Sequence, residues 1–375
     1  MRMILEGYSK QNKPIKVTIK GEKIIKVEEI ASTKKNHYIL PGFIDIHTHG
    51  GYGTDFMDAT VEQTTKYLKN LPKEGTTSIY HTSVTDTDEH VELALKNAIQ
   101  FIENPPQQMT RILGIHLEGV YINPKQRGAH DPKLMRPLSV KEIDHLLEVS
   151  DDHIKLVTYA PELVSTKVTK YLQDKGIIAS AGHTMADYET LNLHAKYGLN
   201  KLTHLFNAML PPLNKRESGA SLASFLTPGI YSELIADGVH VTAEAIMLAY
   251  KNVPKDKMLL ITDSTSPKGM PDGDNYKLAG LKIIKKGNTI FLEDMKSIAG
   301  SISDMIGNFR NYLKFTGATI EEVSDATSLN QAILMGLDHK LGKIAPNYDA
   351  DILVLNRDTL EVEQTITLGI IAYKN

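Results

Sequence analysis

Seven side chains able to bind a metal or move a proton stand at the ends of apolar runs in this 375-residue chain: His47, His49, Glu118, His183, His204, His240 and Asp263. His47 and His49 are two residues apart, and positions i and i+2 share one face of a strand, so both imidazoles can converge on one ion. Glu118 closes the run ILGIHLEG, where a carboxylate is costly to bury without a cation. With His183 and His204 it forms the two-imidazole, one-carboxylate set of catalytic zinc sites, which leave a position open for water. His47 and His49 then provide a possible second site. Asp263, after LLIT, is placed to take a proton from metal-activated water and return it to a leaving group. The plainer alternatives are an exposed histidine pair, a glutamate paired with Arg or Lys, and an aspartate capping a helix. Their recurrence at one strand end after another is hard to explain as packing.

The elements that must position these groups are eight short apolar runs, at 40–49, 76–84, 112–119, 153–161, 176–184, 201–207, 231–240 and 258–264. Helical periodicity fills stretches between them, as in VELALKNAIQFIEN and KEIDHLLEV. Eightfold strand–helix alternation predicts an α/β fold, a (β/α)8 TIM-type barrel over 41–341. The carboxyl ends of such strands build the active site. Segments 1–40 and 342–375 read as half-exposed strands and are expected to pair into one small β-sandwich domain. The stretch between Asp263 and a helix starting near Ser303 is too long for a simple connection. It reads as a β-rich excursion on the active-site face.

Composition removes several functions. A formal net charge of −3 gives no global attraction to nucleic acid or an anionic membrane, so an anionic ligand needs local cations. The absence of cysteine excludes disulfides, zinc–thiolate sites and a cysteine nucleophile. The apolar part of MRMILEGYSK is too short for a signal peptide, and no run reaches the length of a membrane span. A cytoplasmic protein with no nucleic-acid or membrane partner is expected.

The motifs PGFIDIHTHG (41–50), HLEGVYINPKQRGAHDP (116–132), SAGHT (180–184), THLFNAM (203–209), ADGVHV (236–241) and LITDS (260–264) carry a resemblance. In that order they make the chain similar to the amidohydrolase superfamily and, within it, to deacetylases of N-acetylated amino-sugar 6-phosphates. The resemblance implies that Glu118, His183 and His204 bind the catalytic metal and that Asp263 is the general base and acid. His130, beside Ala129, would polarise the acetamide carbonyl, and Asn207 and Ala208 would hold the substrate. Arg216 and His240 would grip the 6-phosphate, one of them across a homodimer interface, and Ala299 would line the pocket. One or two divalent ions are implied (Zn, Fe, Mn and Co are not distinguished), with a small phosphorylated amino sugar as substrate.

Val120-Tyr121 departs from the Pro-aromatic pair commoner after HLEG. The resemblance implies N-acetylglucosamine 6-phosphate as the substrate, and N-acetylgalactosamine 6-phosphate, which differs by one hydroxyl's orientation, is the alternative. A dihydroorotase- or hydantoinase-like enzyme is disfavoured because Glu118 stands where many of those carry a carboxylated lysine. A barrel that has lost catalysis predicts missing ligands, and none is missing. His116 reads as a neighbour of Glu118. His81, His90, His145, His153, His194 and His339 read as structural or surface residues.

Overall fold

The computed structural model describes residues 2–213, 216–278, 280–295 and 297–375. Parts of the loop PPLNKRESG (Asn214 and Lys215) and of the 265–302 excursion (Ala279 and Lys296) lie outside the described residues.

Eight parallel strands form the barrel: Phe43–Asp45, Thr76–Thr82, Arg111–Leu117, Ile154–Tyr159, Ile178–Ala181, Leu199–Leu202, Tyr231–Leu234 and Met258–Leu260. All but a few of their residues are buried, as strands enclosed on both faces must be. The ends of the eighth and first strands close the ring. The Asp263 amide donates to the His47 carbonyl and the His49 amide to the Ser264 carbonyl, each at 2.8 Å. Helices Asp88–Glu103 and Val140–Val149 lie where their periodicity placed them, each started by a side-chain cap, Thr87 and Ser139.

Both chain ends contribute to one seven-stranded sheet, formed by Arg2–Tyr8, Pro14–Lys20, Lys23–Glu29, His37–Pro41, Ile352–Asn356, Val362–Thr367 and Ile370–Lys374. It folds back on itself, so that a Cβ on Gly369 would lie 1.9 Å from the Gly21 carbonyl oxygen. The two halves enclose Ile15, Val17, Ile19, Ile24, Ile39, Ile352 and Ile366, giving the expected sandwich. Leu40 and Pro41, read as the start of the first barrel strand, pair instead with Leu353 and Ile352 of the sandwich. Arg111, at the foot of the third barrel strand, reaches across to Asp349 and Asp351 and ties sandwich to barrel. The excursion forms three antiparallel strands, Gly273–Leu278, Leu281–Lys286 and Thr289–Leu292, before helix Met305–Thr316.

Candidate metal centre and active site

The barrel gathers five of the predicted residues around Glu118, which is 2 % exposed. Its Oε2 lies 2.9 Å from His47 Nε2 and 3.1 Å from His49 Nε2, and Asp263 Oδ1 stands 3.1 Å from the same His49 nitrogen. Its Oε1 faces the other histidine pair, 3.2 Å from His204 Nε2 and 3.5 Å from His183 Nε2. One carboxylate thus offers a different oxygen to each of two imidazole pairs. Within the pairs the Nε2 atoms approach to 3.3 Å and 3.0 Å.

Three of these side chains project from left-handed backbone: His183 at φ 47°, His204 at φ 30° and Asp263 at φ 51°. Non-glycine residues rarely adopt this conformation, and it persists where the surroundings over-determine it. Each marks the point where the chain leaves its strand, and the turn aims the side chain inward. Gly119 meets a similar demand, at φ 108°; a Cβ there would come within 2.4 Å of the Thr85 amide nitrogen.

Electrostatics reinforce the geometry. Burial opposes charge on His47, yet Glu118, Glu233 and Asp263 raise its pKa well above the ordinary value. His49 rises to about 9 through hydrogen bonds to Asp263 and Glu118. Against the same burial, His47 and His49 hold the Asp263 carboxyl down at about 2. The protons carried by these imidazoles are the positive charge that a bound cation displaces. Among the described residues, Glu118 Oε1 is buried without a hydrogen-bond partner. His183 and His47 donate through Nδ1, to the Gln126 carbonyl at 2.7 Å and to Glu233 at 2.9 Å, which leaves Nε2 of each ring as the atom that faces Glu118. The donor set fits a divalent metal.

The cluster forms one wall of a cavity of about 180 Å³. Ala129, His130, Asn207, Ala208 and His240 line it, as do Leu278, Ile298 and Gly300 of the excursion. Ala299, between the last two, is fully buried and hydrogen-bonded to the Ile290 carbonyl, so it supports this wall from behind. Arg216 is exposed on its loop and is not a lining residue. His240 bonds through Nδ1 to Asp237 at 2.6 Å and through Nε2 to the Gly300 carbonyl at 3.0 Å. Against burial, Asp237 raises its pKa, which favours the cation.

Three participants escaped the sequence reading. Glu233 and Lys201, each fully buried, form an ion pair at 2.5 Å beneath the metal ligands. Thr85 fixes His130. Its backbone N–H and its hydroxyl both reach His130 Nδ1, at 3.3 and 2.7 Å, and its Oγ1 accepts from the Val120 amide. A backbone N–H only donates, so Nδ1 accepts and the ring's proton sits on Nε2. Burial, with the neighbouring His183, lowers the His130 pKa to about 3 and keeps the ring neutral. The visible signal for Glu233 was a carboxylate inside the apolar run YSELI, matched by a lysine inside KLTHL.

The Amidohydrolase family model matches residues 38–372, and the chain belongs to that family. It is 38 % identical over 338 residues to N-acetylglucosamine-6-phosphate deacetylase of Bacillus subtilis, covering 89 % of this chain and 84 % of that one. It is 32 % identical over 347 residues to N-acetylgalactosamine-6-phosphate deacetylase of Escherichia coli O157:H7, covering 92 % and 90 %. The crystal structure of N-acetylglucosamine-6-phosphate deacetylase from Thermotoga maritima superposes over the whole of both chains, with a TM-score of 0.90 at 34 % identity. A mutant of the Mycobacterium smegmatis enzyme in complex with N-acetyl-D-glucosamine-6-phosphate superposes equally fully, at 0.92 and 27 %.

Proposed function

We propose that this chain hydrolyses the acetamide of N-acetylglucosamine 6-phosphate to acetate and glucosamine 6-phosphate. The observation that carries the reading is the division of Glu118 between two imidazole pairs, with Asp263 beside one pair at the cavity wall. The similarity to the deacetylases supports the substrate. Glu118, His183 and His204 would hold the catalytic ion; His47 and His49, with the second oxygen of Glu118, would hold another. When bound, a divalent ion supplies Lewis acidity and lowers the pKa of water.

The protein's own groups perform the remaining work. Asp263 takes the proton of the water that attacks the acetyl carbon and passes it to the amine nitrogen as the C–N bond breaks. His130, neutral and protonated at Nε2, donates to the carbonyl oxygen as it gains negative charge. Neutrality suits that role, because the ring can donate without drawing away the charge of Glu118. Asn207 and the Ala208 backbone orient the sugar.

His240 would meet the phosphate by exchanging the Gly300 carbonyl for a phosphate oxygen. Arg216, which does not line the cavity of its own chain, would reach a phosphate from a second copy, so the reading includes a homodimer. A guanidinium presents paired donors to phosphate oxygens. Among the described residues no helix is long and apolar enough to cross a membrane; we place the enzyme in the cytoplasm. We divide the chain into sandwich (1–40 and 342–375) and barrel (41–341).

The similarity to the galactosamine-type enzyme supports the epimer as a second reading. Acetate release from the two 6-phosphates by metal-loaded protein decides between them. Faster turnover of the gluco sugar is expected, and faster turnover of the galacto sugar would reverse the assignment.

A further inference from the structure

Beneath the metal ligands lies a charged pair that no step above uses. Glu233 sits in the middle of the seventh barrel strand and Lys201 in the sixth, both fully buried and 2.5 Å apart. Lys201 also donates to Ser180 at 3.2 Å. The second oxygen of Glu233 accepts from His47 Nδ1 at 2.9 Å and from the backbone amide of His204 at 3.1 Å. His47 faces one oxygen of Glu118 and His204 the other. Glu233 therefore holds one member of each imidazole pair from below, while Glu118 meets both from the cavity side.

From this placement we infer that Glu233, anchored by Lys201, is a positioning residue that prepares His47 to ligate an ion. The inference rests on the metal-centre reading above. A carboxylate acceptor on Nδ1 keeps a proton there, so Nε2, which faces Glu118, is the nitrogen freed to ligate when an ion displaces a proton. Without it the imidazole could carry its proton on Nε2, the atom required for the metal. Lys201 neutralises the carboxylate, which otherwise would be an uncompensated buried charge. Its distance from the substrate side distinguishes this role from acid–base catalysis: neither residue lines the cavity. His116, which also neighbours His47, does not compete for the task, because its Nε2 is engaged by the Thr158 hydroxyl at 2.7 Å.

Two variants of the full chain test the inference, Glu233→Met and the double variant Lys201→Met/Glu233→Met, both of which remove the acceptor on His47 Nδ1. The second removes both charges together, so that no lone buried ion threatens folding. Metal-free protein would be titrated with Zn²⁺ and, for its visible spectrum, with Co²⁺, by calorimetry and absorption, with circular dichroism as the check on the fold. The wild type is expected to take up two ions. Both variants should keep the tighter ion while the weaker binds about 10–100-fold less tightly, the usual effect of losing a partner behind a ligating histidine. The Co²⁺ bands of the weaker site should fade in parallel. Unchanged affinities in the folded double variant would overturn the inference, whatever the number of ions. Equal loss of all binding together with native circular dichroism would also overturn it, by showing general support of the site. Acetate release by the wild type judges the deacetylase reading separately.

Discussion

Replacing Asp263 by asparagine separates proton transfer from metal binding. Asparagine matches aspartate in size and shares its tolerance of the left-handed backbone, so φ 51° at this position adds no new strain. The backbone bonds from the Asp263 amide to the His47 carbonyl and from the Ser301 amide to the Asp263 carbonyl, both 2.8 Å, are untouched. Glu118, His183 and His204 remain to hold an ion. What disappears is the carboxylate that accepts and returns the proton. General acid–base catalysis contributes about 10²–10⁴-fold, and each factor of ten is about 1.4 kcal/mol. The barrier should therefore rise by about 3–5 kcal/mol. Acetate release at saturating substrate gives kcat, and elemental analysis of the same sample gives its metal content. A kcat within tenfold of the wild type at equal metal content would refute the assignment of Asp263 as the proton carrier.

Thr85→Val removes the hydroxyl that pins His130 and leaves the Val120 amide without its acceptor; one lost hydrogen bond of about 1 kcal/mol should lower kcat severalfold, and an unchanged kcat would show that His130 needs no anchor. Arg111→Met strips a guanidinium from two buried carboxylates, and because Lys23 still pairs with Asp349 at 2.7 Å the loss should fall near the lower end for a broken buried pair, about 3 kcal/mol, read from the urea midpoint. His194, buried against Thr169, has its pKa lowered by burial, so it stays neutral in the folded chain while the unfolded chain takes up a proton below its ordinary value of about 6.5. Stability from this residue is thus complete above that pH and declines on acidification; His194→Asn should flatten the fall in melting temperature between about pH 6.5 and pH 5, and parallel curves would exclude the residue as a source of acid sensitivity.

Strand ends carrying His-x-His, Glu-Gly, Gly-His, Thr-His and Thr-Asp were legible because each couples a hydrophobic run to a polar ligand, a local pattern. The strands' existence followed from the same runs, whereas their limits did not. The run 231–240 is continuous in sequence, but the strand stops at Leu234, and Asp237 then accepts from the amides of Val239 and His240 to form a turn. No periodicity marks that point. Glu233 and Lys201 were missed because their meaning lies in each other: separated by 32 positions in sequence, they become partners only when parallel strands six and seven come into register. Thr85 was invisible for a similar reason, since its contact with His130 spans 45 residues. Arg216 shows the converse. Its loop position pointed toward the catalytic face, yet its side chain is exposed and does not line the cavity.

The most direct measurement is acetate release by metal-loaded protein from N-acetylglucosamine 6-phosphate and from N-acetylglucosamine, with a chelated sample alongside. Glu118 with its histidines and the His240 corner predict a strong preference for the phosphorylated sugar, abolished by chelation and restored by a divalent ion. Activity on neither sugar by a protein that has bound its metal would contradict the deacetylase assignment.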